Sequence, residues 1–130
     1  MIEILVVLAI IGILAGVILT RMSTARTRAR DAAFKTTASS IGSAAAMCCN
    51  SSGDPVLNAA DPNTGNIDIC FFPDINSRYP DKTQIDKVVV DIVCTNNHFS
   101  IILTPGTSNS GNCTEAVCTE EGCTYTGVGC

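Results

Sequence analysis

Apolar residues are concentrated at the start of the chain. Residues 4–19 read ILVVLAIIGILAGVIL without a polar side chain, and Glu3 is the only charged residue before Arg21. As one α-helix, residues 1–19 would be about 28 Å long, close to the roughly 30 Å hydrocarbon core of a bilayer. Insertion is predicted, because these apolar side chains outweigh the cost of one carboxylate near the helix end.

A secretory signal peptide is the alternative for this segment. Such peptides begin with basic residues, have a shorter apolar run and end at a cleavage site of small residues. Here the apolar run follows Glu3 and continues without a break into a second helical pattern. We therefore expect residues 1–19 to be a membrane anchor.

Residues 20–49 carry an amphipathic helical pattern. No proline and only one glycine occur between Met22 and Cys48. Apolar residues recur three or four positions apart and form one stripe: Phe34, Ala38, Ile41, Ala45 and Cys48. The pattern predicts one helix from the start of the chain to about residue 48, with its second half against a head formed by residues 50–130.

Alternating apolar residues in the head indicate short β-strands. We predict strands at Lys87–Cys94 and Phe99–Thr104, joined by the tight turn Thr95-Asn96-Asn97-His98, and a further strand at Ile67–Phe72. Residues 50–66 are rich in Asn, Asp, Gly, Ser and Pro and are typical of a loop.

The stretch from Thr107 onward has little apolar content. We expect a flap held by disulfides, with a final strand near Thr124–Thr126. The predicted fold class is therefore α+β: a long N-terminal helix packed on a small antiparallel sheet, followed by a disulfide-rich C-terminal region.

All cysteines lie after residue 47. An even number in a head of this size favours disulfides and an oxidising compartment outside the cytoplasm. The pairing cannot be read from the sequence, although separate bridges are expected for the two adjacent cysteines. The candidates are Cys48, Cys49, Cys70, Cys94, Cys113, Cys118, Cys123 and Cys130.

No metal, cofactor or catalytic site is expected. The single histidine, His98, lies in a predicted turn as an exposed bystander, and no C-x-x-C pair is present. Asp61, Asn63, Gly65 and Asp68 partly resemble a calcium loop, but the glycine is misplaced and the closing glutamate is missing. An ordinary turn is the favoured interpretation, and an enzyme is not expected.

Charge divides the chain into a basic stem and an acidic head. Residues 1–47 have five basic and two acidic side chains, a net of +3, whereas residues 48–130 have three basic and ten acidic ones, a net of −7. This asymmetry favours head-to-stem attraction between copies over nucleic acid. Arg26 and Arg30 share one helix face while Arg28 lies roughly opposite, so the arginines form no strip for DNA.

Gly12 and Gly16 form a G-x-x-x-G pattern, extended by Thr20. In lipid, such a face of small residues lets helices approach closely. In water, each glycine weakens a helix by about 1 kcal/mol, so the same stretch could instead unwind. The pattern by itself is weakly specific.

The string MIEILVVLAIIGILAGVILTRM resembles the N-terminal segment of type IV pilins and type II secretion pseudopilins. In that family, a prepilin peptidase removes a leader, the new N-terminus is methylated, and the apolar helix forms the filament core. The resemblance implies that Glu3 pairs with the N-terminal amine of a neighbouring copy and that Gly12 is the helix-loosening glycine. It covers about the first thirty residues strongly.

The sequence departs from the family pattern at two places. Only Met1 and Ile2 precede Glu3, where the family has four residues, so we expect the mature chain to begin two residues earlier. Thr20 stands where the family often has proline. The arginines after the anchor would favour a cytoplasmic head, but the cysteines favour an external one, and we follow the cysteines.

The expected function is that of a structural subunit, the major pilin, of a type IV pilus-like fibre on the cell surface. Its expected partners are copies of itself, the membrane before assembly and, by the resemblance, the inner-membrane assembly machinery and the prepilin peptidase. One alternative is a minor pilin or a pseudopilin of secretion or competence systems. The other is a membrane-anchored, disulfide-rich binding module that never polymerises.

Intact protein alkylated without reductant should show few free thiols, because disulfides are expected to occupy the cysteines. Mass spectrometry would count the labels, with a fully reduced sample as the control. Labelling of every cysteine in the unreduced sample would contradict the extracytoplasmic placement.

Overall fold

The computed structural model describes residues 2–51, 57, 67–70, 77–95 and 98–130. It contains one helix and one four-stranded sheet. In chain order the elements are α1 (Ile2–Cys49), β1 (Ile85–Thr95), β2 (His98–Pro105), β3 (Cys113–Thr119) and β4 (Gly122–Gly127). The predicted α+β class is confirmed.

Helix α1 is unbroken over 48 residues, which corresponds to about 72 Å at the usual rise per residue. The prediction of one helix to about residue 48 is therefore confirmed. All five members of the predicted apolar stripe are buried. Only the second half of α1 packs against the sheet, as its stripe predicts.

The sheet is antiparallel, and its strands are paired in chain order. Its register aligns Val88 with Leu103, Leu103 with Ala116, and Ala116 with Tyr125. This row faces the helix, where Tyr125 stands edge-on to Phe34 with ring centroids 6.4 Å apart. The core thus lies between the stripe of α1 and one face of the sheet.

Strands β1 and β2 confirm two of the predicted strands, each slightly longer than expected. The ends of their connection are paired, Thr95 with His98, whereas Asn96 and Asn97 lie outside the described residues. The predicted strand at Ile67–Phe72 is wrong for residues 67–70. Within the described part of the chain, these residues make isolated bridges, Leu57 with Cys70 and Asp68 with Arg78, instead of a strand. Residues 71–72 lie outside the described part.

The C-terminal region is half of the sheet rather than a flap, so this expectation was wrong. The predicted strand at Thr124–Thr126 lies within β4, but β3 was missed entirely. The buried positions of β3 are Cys113, Ala116 and Cys118. Small alanine and cysteine side chains close the core here, and they give a much weaker alternating pattern than Val or Ile.

Four disulfides tie the head together, and no cysteine is free. The pairs are Cys48–Cys70, Cys49–Cys94, Cys113–Cys130 and Cys118–Cys123. The adjacent cysteines at the end of α1 do enter separate bridges, one to the segment before the sheet and one to β1. The other two bridges fix the C-terminus and the β3–β4 hairpin.

A buried carboxylate joins the middle of α1 to the start of β3. Asp31 is 7% exposed, and its Oδ1 accepts hydrogen bonds from the backbone N–H groups of Asn112 at 2.6 Å and Cys113 at 2.9 Å. A Cβ on Gly111 would lie 2.2 Å from the same oxygen. Glycine is therefore required for this close approach.

Replacement of this carboxylate should destabilise the head. We expect Asp31→Ala to lower the free energy of unfolding by about 1–3 kcal/mol, because one buried and one partly buried backbone N–H group lose their acceptor. Gly111→Ala should also destabilise, since its Cβ collides with Asp31. Denaturant unfolding with the disulfides intact would measure both, with the exposed Asp91→Ala as the control. An Asp31→Ala variant as stable as this control would contradict the assignment.

Candidate functional site: the exposed apolar half of the helix

The apolar half of α1 (residues 2–18) lies outside the hydrophobic core of the described residues, which begins at Phe34. The exposed fraction of its large apolar side chains ranges from 51% at Val17 to 79% at Ile2. No part of the most apolar stretch is buried. By length and composition this helix can cross a membrane, as an anchor or as a signal sequence.

Exposure of this surface to water is very unfavourable. Burial of a Val, Leu or Ile side chain is worth about 1.5–3 kcal/mol, so a dozen such side chains correspond to on the order of 20 kcal/mol. Contiguous apolar patches of this size mark contact with a membrane or with protein. The apolar half is therefore the candidate surface for contact with a membrane or with protein.

Glu3 lies in the first turn of α1. A carboxylate is stabilised there by the unpaired N–H groups of the helix start. The first basic side chain along the helix is Arg21, about 27 Å away at about 1.5 Å per residue. Basic side chains of its own stem are thus too far from Glu3 to neutralise it.

Gly12 and Gly16 leave an open strip on the same half of the helix. A Cβ built on either glycine would meet no heavy atom within 4 Å. The helix passes through both glycines without a break, and the side chain of Thr20 lies outside the description. Within the described residues, nothing lies within 4 Å of a Cβ built on Gly12 or Gly16, and Glu3 forms no ion pair.

The head carries a side-chain contact of its histidine that the sequence analysis missed. His98 at the start of β2 contacts Glu120 in the β3–β4 turn through Nδ1 and Oε1. The pKa of Glu120 is lowered, first by a hydrogen bond from its own backbone amide and then by His98. His98 is indeed exposed, but it is not without a contact. No sequence signal links these residues, because only the strand register brings them together.

The described part of the head contains few groups that could take part in catalysis or metal binding. A cavity of about 340 Å³ between α1 and residues 69–84 is lined by hydroxyls, Arg78 and apolar groups, but by no histidine, cysteine or carboxylate. Burial raises the pKa of Tyr79 to about 12, which keeps this phenol neutral. Among the described residues, no group of three or more His, Cys, Asp or Glu could hold a metal ion.

Of the partial calcium-loop pattern, only Asp68 is described, and its carboxylate pairs with Arg78 at 3.0 Å. Asp61, Asn63 and Gly65 lie outside the described residues. The prediction of an ordinary turn for this segment stays a prediction.

Comparisons with protein-family models, with curated proteins and with solved structures found no match to this chain. The resemblance of the N-terminal segment to pilins therefore stays a prediction from the sequence. The candidate functional surface is the exposed apolar half of α1. The helix continues from it without a break into the disulfide-bonded head.

A chain that begins at Met22 should fold and stay in solution without detergent, because residues 2–18 contribute nothing to the core. We expect the same near-UV circular dichroism and the same unfolding free energy as for the full chain in detergent. The full chain without detergent is the control and should aggregate. A shortened chain that unfolds would show that the apolar half supports the head.

Proposed function

We propose that this chain is a structural subunit of a type IV pilus-like filament that polymerises through the apolar half of α1. The observation that carries the proposal is the exposure of the large apolar side chains of residues 2–18, on a helix whose second half packs against the head. Identical helices packed side by side would bury this surface and leave the heads outside. The bilayer would cover the same surface before assembly.

Two features of the apolar half favour assembly over a simple anchor. Gly12 and Gly16 leave room for a neighbouring backbone, as interfaces of small residues do in membranes. Glu3 places an acid at the tip of the helix, and an intramembrane acid is by default functional. By the resemblance to pilins, its partner is the N-terminal amine of the adjacent copy, and this pair sets the axial register.

The same resemblance implies the remaining partners. A prepilin peptidase and an inner-membrane assembly machinery would process and export the subunit, and the fibre would stand on the cell surface as a major pilin does. A minor pilin or pseudopilin would use the same helix in a short fibre. The four disulfides of the head fit an extracytoplasmic site.

A membrane-anchored binding module is the second candidate. Lipid alone accounts for the exposure of residues 2–18, and such a protein would remain a monomer in the membrane. The state of the protein at the cell surface separates the two functions. Electron microscopy of sheared surface material would reveal fibres in the first case and none in the second.

Glu3→Ala should leave membrane insertion intact and abolish ordered assembly, because the apolar residues drive insertion whereas the carboxylate aligns neighbouring copies. Membrane fractionation and fibre yield by electron microscopy would measure the two effects. Glu3→Gln keeps the size of the side chain and should fail like Glu3→Ala if the charge matters. The control is Asp91→Ala on the exposed side of β1.

Wild-type fibre yield from Glu3→Ala and Glu3→Gln would remove Glu3 from the mechanism. Loss of the variants from the membrane fraction would instead mean that Glu3 serves insertion. Wild-type protein that is found only as a membrane-bound monomer would overturn the filament.

A further inference from the structure

The stem carries a basic face just beyond the apolar half. Arg21, Thr24, Ala25 and Arg28 line a shallow concavity of about 570 Å³, and we call these four residues the stem face. All four are exposed. Within the described part of the chain, neither Arg21 nor Arg28 has an ion-pair partner.

The stem face is directed away from the head. Phe34, at the centre of the contact with the sheet, lies about 120° around the helix from Arg28. The other arginine face lies closer to the head, since Arg30 Nη1 donates to the carbonyl of Ser110 at 3.5 Å. The head of the same copy therefore leaves the stem face uncovered.

The head presents an acidic counterpart, the acidic turn formed by Glu120 and Glu121 between β3 and β4. Both residues are exposed, and the Cys118–Cys123 bridge closes the hairpin directly behind them. A cavity of about 150 Å³ beside the turn is lined on the helix side by Ser39, Gly42, Ser43 and Ala46. These small uncharged residues leave space for an incoming side chain.

One copy cannot bring its own two surfaces together. The helix residues beside the acidic turn lie about 27 Å along α1 from the centre of the stem face, and the helix between them is continuous. A second copy displaced along the fibre axis by about this distance would bring its stem face level with the acidic turn. Opposite charges at complementary sites favour such an arrangement.

We infer that the stem face of one copy docks on the acidic turn of another copy that is displaced by about 27 Å along the fibre axis. This inference rests on the proposed filament and names the contact that joins stem and head between copies. The net charges of the two parts, +3 for residues 1–47 and −7 for residues 48–130, point the same way.

Anionic lipid headgroups are the other occupant that arginines attract. Arg28 lies about 15 Å beyond Ile18 along the helix, whereas the headgroup layer adds only about 5–8 Å to each side of the hydrocarbon core. Lipid would therefore meet Arg21 but not Arg28. The position of Arg28 favours a protein partner.

Charge reversal tests the contact. We expect Arg28→Glu and Glu121→Lys each to reduce fibre yield about tenfold at low salt, because an attractive pair becomes repulsive at every subunit. The combination Arg28→Glu with Glu121→Lys should restore the yield. Arg26→Glu is the matched control, since it reverses an equally exposed arginine on another face, and it should assemble like wild type.

Cross-linking tests the contact directly. In fibres of Arg28→Lys, a carbodiimide should join the new lysine to Glu120 or Glu121, and peptide mass spectrometry would identify the link. Such a link must be between copies, because Ser39, the nearest helix residue beside the turn, lies about 16 Å along the helix from position 28. Links only to other carboxylates would overturn the inference.

The outcomes separate this inference from the proposed function. Wild-type fibres that tolerate both reversals would overturn the docking and leave the filament standing, whereas the absence of wild-type fibres would overturn both. Flotation with phosphatidylglycerol vesicles tests the alternative that the stem face binds anionic lipid headgroups. If Arg28→Glu weakens vesicle binding but not assembly, the stem face binds lipid and the docking is wrong.

Discussion

The structure depends on one constraint: exposure of the apolar half of α1 to water is unfavourable, and no described part of the chain covers it. The head closes its own core between the stripe of α1 and the sheet, and the first half of the helix is left outside. Because the helix is continuous, whatever covers its apolar half also fixes the position of the head. In the proposed fibre, a contact made in the core would therefore set the position of the head.

The head is small, and covalent links supplement its core. Several of its buried residues are alanine or cysteine, among them Ala38, Ala45 and Ala116, which bury little apolar surface each. Disulfides supplement the core at the end of the helix and in the last two strands. Asp31 adds a polar link between helix and sheet. The head can therefore be a rigid unit despite its size.

Periodicity predicted the elements whose buried residues are large and apolar. The stripe that contains Phe34 and Ile41 defined the packed half of α1, and alternation of Val, Ile and Leu defined β1 and β2. Alternation of large apolar residues did not predict strand β3, because its inward side chains are cysteine and alanine. The disulfide pairs and the contact of His98 with Glu120 depend on strand register, which only the folded chain supplies.

The candidate site could be predicted from the sequence because it does not depend on the tertiary structure. Glu3, Gly12 and Gly16 lie on the half of α1 that none of the described residues covers, so the sequence alone describes this surface. The structure adds the position of this apolar surface relative to the charged surfaces of the stem and the head. Lipid can cover the apolar half, but Arg28 lies about 15 Å beyond Ile18 along the helix, and the acidic turn lies in the head between β3 and β4. A second copy can satisfy all three surfaces at once, so the filament explains more of this molecule than an anchor does.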